Sequence, residues 1–229
     1  MKITRFLFIA LCCMNAVMAV SQEANPPFWN EIQRFRTQDK KEAPPKKALL
    51  LIGSSSFTMW TDVKEYFPGY RIINRGFGGS SLTDLIRYQD EIILPYEPAQ
   101  ILIYCGENDI ASSDTVTGMM VFDRFRTLFT GIRQYYPKVP VIFVSLKPSP
   151  SRWKMKDRMI EANELIRSYL RKQKKAKFVD IWNDMLGADG QPREDLFLAD
   201  RLHMNAKGYS IWQRRLSHHL DKKARIAKR

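Results

Sequence analysis

The sequence predicts an α/β protein built on a parallel sheet with helices on both faces. Two observations carry this. Five short apolar runs occur at Ala48 to Ile52, Tyr70 to Asn74, Gln100 to Cys105, Val139 to Leu146 and Lys177 to Ile181. They read as strands buried on both faces rather than half-exposed ones. Between them lie helical stretches at Leu82 to Leu94, Val116 to Tyr136, Arg158 to Lys174 and Ala206 to Leu220. Strands alternating with helices give a parallel sheet covered on both sides. In such sheets, functional groups gather beyond the carboxyl ends of the strands.

The segment before the first strand divides in two. Lys2 and Arg5 precede a largely apolar run, Phe6 to Val17, and Val17-Met18-Ala19 is similar to a small-residue cleavage site. This predicts a signal peptide over 1–19 and an exported protein, periplasmic or secreted. The run is short for a membrane span and is interrupted by Asn15. Cys12 and Cys13 raise a lipoprotein alternative, disfavoured because Leu11 and Cys12 stand where a small residue belongs. With the leader removed, Cys105 is the remaining thiol, so no internal disulfide is expected. Its apolar run predicts buried packing. Residues 20–45 form a polar, proline-bearing N-terminal extension. In it, Phe28, Trp29, Ile32 and Phe35 have the spacing of a short amphipathic helix that Pro44-Pro45 ends. The domain is expected over 46–221, with a basic tail at 222–229.

The 229 residues carry 37 Lys and Arg against 24 Asp and Glu, a net charge of +13. Losing Lys2 and Arg5 with the leader lowers it by their two charges to +11. The charge concentrates in Arg171 to Lys177 and Lys222 to Arg229. Solvated helix ends and a basic tail are the favoured reading over a patch for an anionic envelope surface or polysaccharide. No nucleic-acid partner is expected, because aromatic residues do not interleave with the basic clusters.

Four segments carry chemistry. Gly53-Ser54-Ser55-Ser56 follows the first strand, and Ser55 is the candidate nucleophile, presented by a turn that Gly53 permits. The alternative is that these serines cap a helix or hold a phosphate at its N-terminus. The spacing is not G-x-S-x-G, since Phe57 stands at the last position. Gly76-Phe77-Gly78-Gly79 follows the second strand. Gly79 is a candidate oxyanion donor through its backbone N–H, with a plain tight loop as alternative. Gly106-Glu107-Asn108-Asp109 follows the third strand. Asn108 offers a neutral side-chain N–H for an oxyanion, or else makes an Asx turn or helix cap. Asp109 is expected to bond nearby backbone.

His203 is the candidate base, since His218 and His219 fall in the basic C-terminal helix. Asp200, three residues earlier, can orient it and stabilise its charged form. The alternative is a surface turn at Leu198 to Arg201. No metal is expected, because one thiol and one such histidine make no zinc set. Asp180, Asp184 and Asp189 read as turn and cap residues. Arg152 and Trp153, in the loop Lys147 to Trp153, are candidates for lining the substrate pocket. Burial of Trp153 in the core is the alternative.

In this order the segments resemble the SGNH branch of the GDSL esterase and lipase family. The second is most similar to the subgroup of platelet-activating-factor acetylhydrolase catalytic subunits. The resemblance covers most of residues 48–220. It implies a three-layer α/β/α sandwich with a five-stranded parallel sheet, the flavodoxin-like SGNH hydrolase fold. It also implies an ester hydrolase with a Ser55-His203-Asp200 triad, needing neither metal nor cofactor. Its oxyanion hole would be Ser55 N–H, Gly79 N–H and Asn108. One departure stands out: Ser54 occupies the position where the family carries Asp, which leaves the hydrogen bonding of the nucleophile turn open. The expected function is an exported esterase removing a small acyl group, such as acetyl, from a carbohydrate or similar ester. Alternatives are an O-acyltransferase of envelope glycans using the same triad, and a non-catalytic glycan-binding module. The sequence shows no long apolar lid of the kind a long-chain lipase needs.

Overall fold

The computed structural model describes residues 25–227. The expected leader at 1–19, with Cys12 and Cys13, lies outside the described residues. Five parallel strands form one sheet in the order β2-β1-β3-β4-β5: β1 Leu49–Gly53, β2 Ile72–Gly76, β3 Gln100–Tyr104, β4 Val141–Val144 and β5 Ala176–Val179. This order places a topological switch point between β1 and β3, where ligands bind in open α/β sheets.

Strand alternation divides the apolar residues between two cores. Leu50 and Ile52 of β1, Ile101 and Ile103 of β3, and Val141 and Phe143 of β4 face one side. There they meet helices α1 (Trp29–Lys41), α4 (Leu82–Arg87), α5 (Gln89–Ile92), α7 (Gly118–Tyr135) and α8 (Lys156–Leu170). Leu49, Leu51, Leu102, Ile142 and Val144 face the other side. They meet α2 (Ser55–Thr58), α3 (Val63–Tyr66) and α9 (Ala206–Ser217). A short helix α6 (Glu107–Ala111) follows β3. Among the described residues, no helix is long and apolar enough to cross a membrane.

Several boundaries differ from those the sequence predicts. The second strand runs to Gly76 rather than Asn74, because Arg75 is buried inside it. Its guanidinium bonds Asp39 and the Tyr96 hydroxyl, so a charged residue continues the strand instead of ending it. The helix expected over Leu82 to Leu94 is two helices, α4 and α5. The break falls at Tyr88, whose buried ring packs on Phe77 and whose hydroxyl donates to Pro27 O at 2.6 Å. The helix expected from Val116 starts at Gly118, because the Thr117 side chain accepts from Met120 N and caps it. The last helix starts where expected, capped by Asn205, but stops at Ser217. The helix expected over Arg158 to Lys174 runs from Lys156 to Leu170. Cys105 is buried, as expected.

Both terminal segments are tied to the domain. On α1, Ile32 is fully buried and Phe35 nearly so. At the other end, Ala224 is buried, Arg71 N donates to Ala224 O at 2.9 Å, and Ile226 N donates to Gly69 O at 2.8 Å. The basic tail expected from residue 222 is therefore part of the packed domain through Ile226. We expect Ile32→Ala to lower stability by ~2–4 kcal/mol through the cavity it leaves. Thermal unfolding should show a drop of roughly 5–15 °C for a domain of this size. An unchanged Tm would mean that α1 does not contribute to the core.

Candidate active site

The nucleophile turn begins with a close backbone approach. Gly53, the last residue of β1, has φ 153°, and a Cβ there would stand 2.0 Å from Tyr104 O. Only glycine fits. The approach lets Ser54 N donate to Tyr104 O at 3.1 Å and turns the chain into α2. Ser54 O then accepts from Phe57 N and Thr58 N. The Ser54 side chain makes no capping bond, so its own backbone holds the turn. Two further contacts fix α2 from outside. Asn74 Nδ2 donates to Phe57 O at 2.7 Å, and the Tyr209 hydroxyl donates to Ser56 O at 2.9 Å.

Ser55, at the first position of α2, lies 2.9 Å (Oγ) from His203 Nε2. His203 Nδ1 lies 2.6 Å from Asp200 Oδ2. The other Asp200 oxygen, Oδ1, accepts from the backbone N–H groups of Leu202 and His203, each at 2.9 Å. Burial nudges the Asp200 carboxyl up, but these hydrogen bonds from His203 and Leu202 outweigh it and bring it down to about 2. Arg201 between them takes a left-handed φ of 58°, which closes the turn. The Asp200 side chain is 48% exposed and that of His203 22%, so the row opens to solvent at the rim.

The segments that carry the expected oxyanion donors meet near Ser55 at the rim. Gly78 passes close to Ser55, with 3.9 Å between an ideal Gly78 Cβ and Ser55 Cβ. Gly79 beside it has φ 84°, a conformation that glycine adopts freely. Among the described residues, neither Ser55 N–H nor Gly79 N–H has a protein acceptor. Ser80 ties this loop down: its Oγ donates to Gly53 O at 3.2 Å, and its carbonyl accepts from Asn108 Nδ2 at 2.9 Å. One N–H of the Asn108 amide is thus committed to Ser80, which leaves the other available.

Arg152 fixes which way that amide faces. Its Nη2 donates to Asn108 Oδ1 at 2.7 Å, and a guanidinium has no acceptor, so the amide oxygen must face it. Nη1 of Arg152 lies 3.3 Å from Glu107 Oε2. Glu107 is buried, with Lys147 Nζ at 3.0 Å from each carboxylate oxygen and the Tyr104 hydroxyl bonded to it. Burial opposes the charge on Glu107, but Lys147 and Arg152 outweigh it and hold the carboxyl below its usual range. Arg152 therefore touches Asn108 and Glu107 at once, with one N–H to each. Trp153 is half-buried and stacks on Trp182, with ring centroids 6.1 Å apart.

The remaining candidates have structural partners. Asp109 is buried; it accepts from Leu82 N at 2.9 Å and from Arg124 Nη1 at 2.8 Å. It does bond backbone, but from a segment 27 residues upstream rather than nearby. Asp180 pairs with Arg167 and accepts from Trp182 N, Asp184 pairs with Arg215, and Asp189 accepts from Gln191 N. Among the described residues, no three His, Cys, Asp or Glu side chains converge as a metal would need. Sequence reading missed Asn74, Ser80, Glu107 and Lys147. Each is a polar residue beside a recognised motif, and its partner comes from a distant segment.

Chemically, the row can move a proton from the Ser55 hydroxyl to His203 while neutral N–H groups wait for negative charge. Residues 53–211 match the GDSL-like Lipase/Acylhydrolase family. No curated protein sequence matches the chain. Several solved structures share the fold. One is a Streptococcus pneumonia protein provisionally named a platelet activating factor: 18% identity, TM-score 0.74, over 84% of this chain and 92% of that one. Another is a GDSL-like lipase from Bacteroides thetaiotaomicron: 21% identity, TM-score 0.68, over 82% and 95%. A third is an acetylxylan esterase from Geobacillus stearothermophilus: 16% identity, TM-score 0.61, over 80% and 100%. The family match spans most of the chain and contains every residue of the row and of the proposed oxyanion donors. The chain belongs to the GDSL-like lipase/acylhydrolase family, whose chemistry is acyl-ester hydrolysis.

Proposed function

We propose that this protein is an exported serine esterase that removes a small acyl group, such as acetyl, from a carbohydrate or similar ester. The observation that carries the reading is the continuous row from Asp200 Oδ2 through His203 to Ser55 Oγ, at 2.6 and 2.9 Å. His203 accepts the Ser55 proton at Nε2 as Oγ attacks the ester carbonyl. Asp200 holds the Nδ1–H and stabilises the imidazolium. The oxyanion of the tetrahedral intermediate is met by Ser55 N–H, Gly79 N–H and the free N–H of Asn108. Collapse expels the alcohol, which takes its proton from His203. Water then repeats the sequence on the acyl-enzyme and releases the acid.

Two features support the substrate class. The site lies open at the sheet rim, which suits an ester carried on a bulky alcohol such as a glycan. An acetylxylan esterase stands among the structures that share this fold. Export is supported by the composition of the first 19 residues alone.

The direct test is hydrolysis of p-nitrophenyl acetate and butyrate. Ser55→Ala and His203→Ala should each lower kcat/KM by at least about 10³-fold. Equal rates in all three proteins would remove the triad from the chemistry and favour a non-catalytic binding module. Adding an acceptor glycan separates hydrolysis from acyl transfer by the products.

Arg152→Ala frees the Asn108 amide to turn, so it should lower kcat by roughly 10–100-fold with little change in KM, somewhat less than loss of an oxyanion donor. A change confined to KM would return Arg152 to substrate binding.

Asp200 sets a pH signature. Its folded value of about 2 lies below the ordinary 3.8, so above pH ~4 it is ionised in both folded and unfolded chains. Its contribution to stability is present there and is lost only as pH falls toward 2. A carbon-13 titration of the Asp200 carboxyl should therefore show a midpoint near 2, and any loss of activity between pH 7 and 4 belongs to another group. A midpoint near 4 would show that the bond to His203 does not hold in solution.

A further inference from the structure

A group of cations converges at one pole of the sheet. Lys47 precedes β1, Arg71 precedes β2, Lys138 precedes β4 and Lys175 precedes β5. The segment after α9 crosses the same end and adds Lys223 and Arg225. All six line one groove of about 980 Å³, at the amino ends of the strands and opposite the Ser55 rim. Lys175, Lys223 and Arg225 belong to the two charge runs seen in the sequence, and the fold brings Lys47, Arg71 and Lys138 to them.

These charges lack internal compensation. Among the described residues, none of the six has a carboxylate partner within salt-bridge distance; Lys46, a seventh cation lining the groove, pairs with Glu97 at 2.8 Å. Asp221 is the one acidic residue lining the groove, and its Oδ1 already accepts from Lys223 N at 2.9 Å. Arg71 Nη2 donates to Lys223 O at 2.7 Å, while its buried Nε has no acceptor among the described residues. Lys47 and Lys175 both take left-handed backbone conformations, φ 55° and 53°, which residues with a Cβ adopt at a cost. Two strained lysines in one groove place strain where cations converge. An external polyanion would relieve the mutual repulsion that the fold leaves standing.

We propose that this groove binds a linear polyanion, an acidic glycan bearing carboxylates. Four of the six cations are lysines, point charges on flexible stems that follow irregularly spaced carboxylates. Arginine forks would suit phosphate better. Tyr135, 53% exposed, and the prolines at 98 and 137 give flat apolar walls against which sugar faces can lie. One exposed ring is too few to stack successive bases of a single-stranded nucleic acid. The surface is concave, where a bilayer would call for apolar side chains that protrude. The five-residue strands put the groove about 15 Å or more from Ser55. One sugar unit cannot fill both, so the groove holds one stretch of a chain while another reaches the rim. That the chain carries the ester rests on the proposed function; the binding does not.

Binding of the purified protein to polygalacturonate is the test, with neutral dextran, a thymidine oligonucleotide of matched charge and anionic phospholipid vesicles in parallel. The expected result is binding to polygalacturonate that added salt weakens, no binding to dextran, and weaker binding to the other two anions. Lys47→Glu, Lys175→Glu and Lys223→Glu combined should weaken it at least about tenfold, with p-nitrophenyl acetate turnover and Tm unchanged. Should that variant lose stability, Lys138→Glu on its exposed turn gives the same reading with a smaller loss. Absence of binding, or equal binding by wild type and variants, overturns the proposal. So does tighter binding to the oligonucleotide or the vesicles. Because the readout does not pass through Ser55, a failed esterase assay leaves this result standing, and the reverse also holds.

Discussion

The approach of β1 to β3 at Gly53 and Tyr104 sets the geometry of everything at the rim. With no Cβ at residue 53, the Tyr104 carbonyl comes near enough to receive Ser54 N–H. That bond ends β1 and starts α2 with Ser55 at its first position. The same strand that supplies the carbonyl continues into Glu107 and Asn108, so nucleophile and amide leave neighbouring strands at the switch point of the sheet. Gly53 is therefore as much a site residue as Ser55, although it touches no substrate. A side chain there would separate the two strand ends and with them the two halves of the site.

A second layer keeps that geometry sharp. Glu107 lies buried between Lys147 and Arg152, and Arg152 passes the constraint to Asn108. A buried ion pair gives little net stability, because desolvation offsets much of the attraction. Its value here is directional. An asparagine amide presents N–H or C=O with nearly equal ease, and only the amino side stabilises an oxyanion. Arg152 can only donate and Ser80 O can only accept, so the two together leave one orientation. The segment from Lys147 to Arg152 also reaches the triad loop, where Ser151 N donates to Arg201 O at 3.1 Å. One short segment thus braces both the Asn108 side and the His203 side.

What the sequence discloses follows a physical rule. Buried strands advertise themselves by continuous apolar runs, so all five were legible, and with them the layer order. Ser55, Gly79 and Asn108 were legible as candidates because each follows a predicted strand end, and Asp200 and His203 because they stand three residues apart; each alone had a structural alternative, and their order along the chain carried the reading. Arg75 misled, since burial of a guanidinium depends on Asp39 and Tyr96 arriving from elsewhere. Tyr88 hid a helix break for the same reason. Glu107 and Lys147 read as motif filler and as a loop charge, because a buried pair forty residues apart exists only once β3 and β4 are adjacent. Arg152 was legible as a residue near the site, but its partners were not. Local signals name the groups that perform chemistry, whereas the groups that hold them are defined by tertiary contact.

Charge is organised along the strand axis, and this separates two kinds of electrostatics. At the carboxyl end, the acidic groups have partners: Asp200 bonds His203, Glu107 pairs with Lys147 and Arg152, and Asp109 pairs with Arg124. The proposed oxyanion donors there are neutral N–H groups at short range, which dissolved salt screens little. At the amino end, lysines and arginines without an acidic partner among the described residues project a field into water, and it fades within about 8 Å at physiological ionic strength. Catalysis on a small ester should therefore be nearly indifferent to salt, while capture of a charged polymer should depend on it steeply. The sheet keeps the two apart. A cation moved from the groove to the rim would compete with His203 for Asp200. Keeping the groove's cations at the far pole lets the protein attract an anion without disturbing the proton transfer on which the triad would depend.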